Sequence, residues 1–484
     1  MGTISVTTTG VEIQPYEKRQ CKLIEYQTSY LEKNRHTIVP VSGFFNSEDE
    51  SFLTYKMPIE KLRNMFPTYD VVKRSSSPSR HFGPVIIPTN FELRPEQRDI
   101  FNDMMTCSQT EMFVNIPTAT GKTVMGVYYI SMKRVVTLIS CPTSKILDQW
   151  INTAMDMGFD SSRFKVIGNS ELLNQMYDNP KNFNYDIYFI KPALMTIYGN
   201  KHGFGKLGHI FSNLGIGIKI IDEAHLNMGA TIRLNAVTSI AQTVYMSADF
   251  YKASYFVRDQ FMKVFGNVHL IRLPDDTLVE LKHITAVMCE FDSMPDTLDM
   301  LSVTAKNKYA WNHWAYARYE FEKGEIINYI KEILNGIVSK SKPSENGYYK
   351  ILILVQLKEH VDLLYGILQN EYGDVRNVGR YHSDVPPEEQ EGCLSKDIII
   401  STYKAFSTGV NVVSPEIQHV ISTSPVDVVT HNQAAGRCRP IPNTHSYYWI
   451  LEDIAFEFCK SNINKTASYL RNSRVKDIIK MEKK

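Results

Sequence analysis

Val114-Asn115-Ile116-Pro117-Thr118-Ala119-Thr120-Gly121-Lys122-Thr123 is the stretch on which the reading of this chain turns. A short apolar strand runs into a tight turn, and an apolar-rich segment from Val124 reads as the start of a helix. Phosphate chemistry needs that order of parts. Glycine lets backbone N–H groups turn inward, the helix N-terminus adds partial positive charge, and a lysine reaches the outer phosphates. Thr123 then offers its hydroxyl to Mg²⁺. A strict phosphate loop has glycine where Ile116 stands, so a rigid pattern would miss this one. We read Pro117, Thr118, Ala119, Thr120, Gly121, Lys122 and Thr123 as nucleotide-binding residues.

About a hundred residues further on, Lys219-Ile220-Ile221-Asp222-Glu223-Ala224-His225 ends an apolar strand in two consecutive carboxylates. Side chains at the carboxyl ends of parallel strands converge on the crevice where ligands bind. Hydrolysis of ATP needs one carboxylate near Mg²⁺ and a second group to orient or deprotonate water. Asp222 suits the first role and Glu223 the second. Thr123 and Asp222 are the expected metal ligands, and ATP and Mg²⁺ the expected cofactors.

Outward from these two stretches, near-continuous apolar runs at 112–116, 135–141, 187–190, 218–221 and 244–246 alternate with helical patterns at 124–132, 144–155 and 170–176. Strands buried on both faces read this way, and the alternation is that of a parallel sheet. A second series begins near Lys350, with strands at 351–355, 398–402, 419–422 and 447–451 and a helix at 359–369. The expected fold class is α/β, two tandem parallel-sheet lobes with a small N-terminal accessory domain. The expected domains are 1–88 (accessory), 89–270 (first lobe), 271–325 (connecting segment), 326–451 (second lobe) and 452–484 (a basic helical tail). Within 1–88, residues 2–15 read as a loose arm, 38–45 and 51–57 as strands, 58–66 as a helical turn and 75–80 as a linker. Trp311, Trp314, Tyr316 and Tyr319 read as a packed helix face before they read as a base-stacking platform. The basic tail reads as a solvated face before a nucleic-acid contact.

The chain has 484 residues, 43% of them hydrophobic, enough for about three domains. Net charge is +1, so any nucleic-acid contact must be local. Seven scattered cysteines with no C-x-x-C pair fit a reducing compartment and argue against a disulfide framework. No secretory signal and no run near 20 apolar residues is visible. The expected localisation is soluble and intracellular: cytoplasm, virion if viral, or nucleus.

With the two carboxylates in place, the set resembles the superfamily 2 helicases and translocases with a DEAH motif. Within them it is similar to phage recombination helicases and poxvirus transcript-release helicases of large DNA viruses. The likeness runs from about Phe91 to about Leu451, and it implies RecA-like lobes with ATP between them. It further implies that Gln97, in Phe91-x-Leu93-Arg94-Pro95-x-Gln97, contacts adenine. Cys141-Pro142-Thr143 with Leu147, Gln149 and Trp150 resembles motif Ia, which touches the nucleic-acid backbone. Ser247-Ala248-Asp249 resembles motif III, with Asp249 where the family has threonine. Residues 401–411, including Gly409, resemble motif V. Gln433-Ala434-Ala435-Gly436-Arg437-Cys438-Arg439 resembles motif VI, whose arginine stabilises transition-state charge. One residue separates the arginines where the family has two, so Arg437 and Arg439 both stand as candidates. Gln433, Arg437 and Arg439 join Lys122, Asp222 and Glu223 as expected catalytic residues.

The expected function is an ATP-dependent helicase or translocase on DNA, with RNA as the alternative strand. It would act with replication, repair or transcription machinery and without a membrane. A rival reading is an origin-binding or other DNA-binding protein with a weak or inactive motor.

Overall fold

The computed structural model describes the chain except residues 1, 9, 16–29, 34–37, 42, 47–50, 56–58, 118–119, 225–229, 232–233, 236–237, 249–267, 305–310, 342, 344–346, 407–411, 413–414, 424, 442–443, 472–474 and 483–484. It divides into two compact units, Met1–Leu273 and Pro274–Lys484.

The first unit opens with the accessory module. Strands β1 (Gly2–Val6), β2 (Gly10–Gln14), β5 (Gly43–Asn46), β6 (Ser51–Tyr55) and β7 (Tyr69–Lys73) form a sheet in the order β5-β6-β2-β1-β7, and β3 (Tyr30–Lys33) pairs with β4 (Ile38–Val41). The segment expected as a loose arm is therefore the centre of a sheet. Its alternation explains why: Ile4, Val6, Val11 and Ile13 all turn to one core with Phe52, Leu62 and Phe66. Burying each such side chain stabilises by about 1.5–3 kcal/mol. Residues 75–80 form neither helix nor strand, but they are pinned. Ser77 N donates to Ser239 O (2.8 Å), Arg80 N to Gly215 O (2.7 Å), and Val136 N to Arg80 O (2.9 Å). Exposed backbone polar groups find partners on the neighbouring lobe instead of within a repeating element.

The first lobe is a seven-stranded parallel sheet. Its strands are β8 (Glu111–Asn115), β9 (Thr137–Ser140), β10 (Phe164–Ile167), β11 (Ile187–Ile190), β12 (Ile218–Asp222), β13 (Gln242–Ser247) and β14 (His269–Arg272), ordered β10-β11-β9-β12-β13-β8-β14. β9, β11 and β12 are buried at every position, as their apolar runs require. The order brings β12, β13 and β8 side by side, with Asp222 beside Met246 and Ser247 beside Asn115. Three carboxyl ends, at Asn115, Asp222 and Ser247, thus share one edge.

The second unit repeats the plan. β15 (Ile284–Phe291), β16 (Lys350–Val355), β17 (Val378–Tyr381), β18 (Ile398–Thr402), β19 (Ile417–Ser422), β20 (Ser446–Asp453) and β21 (Val475–Glu482) form a parallel sheet ordered β17-β18-β16-β19-β20-β15-β21. Two expectations change. β15 belongs inside this sheet, between β20 and β21, and not to a connecting segment. The tail is helical only over Glu457–Leu470; Val475–Glu482 is a strand. Its basic residues masked a β pattern whose partner, β15, lies almost 200 residues earlier. Lys480 pairs there with Glu290 at 3.0 Å.

The aromatic group before the second series packs within this unit. Trp311 stacks on Phe458 (4.3 Å between centroids) and Tyr316 meets Phe456 edge-on (5.2 Å). Tyr316 and Tyr319 are buried; Trp314 alone of the four points outward, 60% exposed.

Candidate active site

The loop after β8 enters the helix Lys122–Lys133 through Gly121, which takes φ +89°. That is left-handed backbone, which glycine adopts without steric cost. A second reason for glycine is space: a Cβ at 121 would lie 2.4 Å from Gln97 Nε2. Gln97 is buried, 4% exposed, and its amide closes the loop from below. Gln97 Oε1 accepts from Arg94 N (2.9 Å), while Gln97 Nε2 and Arg94 Nη2 both donate to Thr120 O (2.7 and 2.6 Å). Gln97, expected to contact adenine, also holds the turn at Thr120, and so does Arg94, which the sequence did not single out.

Lys122 opens the helix, with Thr123 next and half-buried. The Lys122 ammonium lies 3.5 Å from Ile116 O and 3.9 Å from Glu223 Oε1. Glu223 follows the last residue of β12 and takes φ +47°. A left-handed conformation at a non-glycine residue stores strain, of order 1–3 kcal/mol, and is typical of functional sites. Here it turns the carboxylate back toward Lys122.

Asp222 is 7% exposed. Its Oδ1 accepts from Glu223 N (2.9 Å) and its Oδ2 from the indole Nε1 of Trp150 (2.8 Å). Burial pushes its carboxyl up from the ordinary value; the Trp150 hydrogen bond, the Lys122 charge and the Glu223 N–H pull against it. Burial likewise raises the Cys141 thiol, helped by the Asp222 charge. Two hard oxygen donors, the Thr123 hydroxyl and the Asp222 carboxylate, suit Mg²⁺, which takes one or two protein oxygens and leaves the rest of its shell to phosphate and water.

Thr118, Ala119, His225, Asp249 and Gly409 lie outside the described residues. Pro117 is half-buried and Thr120 fully buried. Of the motif Ia residues, Leu147 and Trp150 are core positions, and Pro142 and Thr143 are partly accessible.

In the second unit, Ser401 and Thr402 end β18 and Tyr403 OH meets Ser422 Oγ at 2.7 Å. Gln433 sits on the helix Val428–Ala435, half-buried. The two arginines part company. The Arg437 guanidinium lies 5.9 Å from the ring of Phe406, just past β18. The Arg439 backbone is tied to the beginnings of β19 and β20, through Ile417 O (3.3 Å) and Ser446 Oγ (2.9 Å).

At the end of β20, Glu452 is fully buried and accepts from Asn462 Nδ2 (3.1 Å), which also donates to Val426 O (3.2 Å). Burial pushes its pKa from 4.5 to about 8. The folded state therefore favours the protonated acid. That stabilisation is complete below about pH 4.5 and is lost as pH rises through 8. Glu452→Gln should match the wild-type Tm near the acid end of this window and exceed it increasingly toward pH 8. A Tm difference independent of pH would contradict the assignment.

Residues 94–252, within the first unit, match the DEAD/DEAH box helicase family. Over 468 residues the chain is 21% identical to the transcript termination protein A18 of Yaba-like disease virus, covering 91% of this chain and 82% of that protein. Among solved structures, Mss116p bound to ssRNA and AMP-PNP superposes with a TM-score of 0.52 at 14% identity, over 81% of this chain and 75% of that one. T4 UvsW aligns over 99% of both chains at 14% identity with a TM-score of 0.34. Among the described residues, no helix is long and apolar enough to cross a membrane.

Proposed function

We propose that the chain is an ATP-dependent, Mg²⁺-requiring helicase or translocase that acts on DNA. The reading is supported by one observation above all: Lys122 lies 3.9 Å from Glu223, next to Asp222 at the end of β12. Lys122, at the N-terminus of its helix, would hold the outer phosphates. Thr123 and Asp222 would hold Mg²⁺, which would supply charge to neutralise the phosphates. Glu223 orients the attacking water and accepts its proton as the new P–O bond forms and the bond to ADP breaks. Arg437 and Arg439 are the candidates for added positive charge, and the neighbourhood of Arg437, beside motif V, favours Arg437. Converting each to Ala separates them: the acting arginine loses turnover while nucleotide binding persists.

Strand contacts in such a motor go to phosphates, so it should be indifferent to base sequence. Release of a transcript is the setting we favour, because the similar viral protein is named for transcript termination. An RNA-directed motor is the second reading, since Mss116p was solved on ssRNA. ATPase assays with single-stranded, forked and branched DNA and with RNA decide between them, followed by strand displacement on the best activator. No ATPase under any condition would overturn the motor itself; stimulation by RNA alone would overturn DNA.

A further inference from the structure

We infer that Trp150 is a positioning residue for Asp222, fixing the orientation of the carboxylate for a metal; this rests on the function proposed above. The helix Ser144–Asp156 is capped by Thr143, whose hydroxyl accepts from Ile146 N (3.3 Å). Its apolar face, Ile146, Leu147, Trp150 and Ala154, is buried. An indole on such a face ordinarily only fills space. Here it also spends its one donor on a carboxylate 72 residues away, with Trp150 completely buried.

The surroundings are shaped for that reach. Gly126, on the helix that begins at Lys122, lies against the indole: a Cβ there would sit 2.4 Å from Trp150 Cη2 and 3.1 Å from Met246 Cε. Any larger residue at 126 would displace the ring or the helix. The ring is thus wedged between the phosphate-loop helix and the end of β13.

The two hydrogen bonds to Asp222 come from different directions, one to each oxygen. Together they fix the plane of the carboxylate and leave each oxygen lone-pair capacity for a metal. Partners of this kind behind a ligand typically change metal affinity by about 10–100-fold. Without the donor, one carboxylate oxygen would be buried with its hydrogen bond broken.

The test is Trp150→Phe, which keeps a ring and removes the donor. Its read-outs are Mg²⁺ titrations of a fluorescent ATP analogue's binding and of turnover. Half-saturating Mg²⁺ should rise about tenfold, and binding of the analogue in EDTA should match wild type. Met246→Leu disturbs the same packing and spares the N–H, and it should leave the Mg²⁺ dependence alone. Equal Mg²⁺ curves for wild type and Trp150→Phe would overturn the inference, as would an equal shift in Met246→Leu. If Trp150→Phe does not fold, the indole N–H resonances of the wild type serve instead: one of them should shift on adding Mg²⁺ with ADP and not with ADP in EDTA. No such difference would overturn the positioning role. Wild-type protein that binds no nucleotide would instead remove the function on which this rests.

Discussion

Lys122→Ala is expected to lower ATP turnover by about 10³-fold and to weaken nucleotide binding with it. Donors aimed at developing charge are worth about 10²–10³ each in kcat, and Lys122 brings a full charge. The side chain is well placed to act. It springs from the first residue of a helix, and its partly buried ammonium is 3.5 Å from Ile116 O, at the mouth of the loop. Alanine at this position keeps helix propensity and leaves Gly121 and Gln97 untouched, so the fold should stand. The check is steady-state ATPase together with equilibrium binding of a fluorescent nucleotide. Turnover above a tenth of wild type would remove Lys122 from its role.

Much of this site could be read from the chain because strand ends and turns are local features. Ile218–Asp222 is apolar apart from Lys219 until its last residue, and Gly121-Lys122-Thr123 is a turn entering a helix; both patterns carry their meaning within ten residues. The same holds for β18, whose run Ile398–Thr402 is buried at every position. What escaped the sequence depends on partners far along the chain. Trp150 reads as part of motif Ia, with no local sign that its N–H reaches Asp222. Gln97 gives no local sign that its amide also reaches Thr120. β21 looks like a charged helix end until β15 supplies its ladder. Gly2–Val6 looks like a polar arm because its apolar residues are few, yet four residues on β1 and β2 suffice to anchor the accessory core. In each case a side chain or strand with two plausible local meanings was decided by a tertiary neighbour.

Glu223→Gln is the complementary experiment, expected to reduce turnover by about 10³–10⁴-fold while nucleotide binding is kept or strengthened. Loss of a general base costs about 10²–10⁴, and glutamine can neither accept the proton nor hold the water with a negative charge. The substitution is close to isosteric, so the strained backbone at φ +47° and the hydrogen bond from the 223 N–H to Asp222 should persist. The direction of the binding change follows from the ion pair. Lys122 now faces Glu223 at 3.9 Å, an attraction that competes with phosphate for the same ammonium. Neutralising Glu223 removes the competitor, so Lys122 is freer for the nucleotide. Lys122→Ala should therefore lose both affinity and turnover, and Glu223→Gln turnover alone. Single-turnover hydrolysis measured beside nucleotide binding distinguishes the two patterns. If Glu223→Gln loses binding as well, Glu223 serves the shape of the pocket and not the water. If it retains turnover, another group takes the proton and the carboxylate pair has been read in the wrong order.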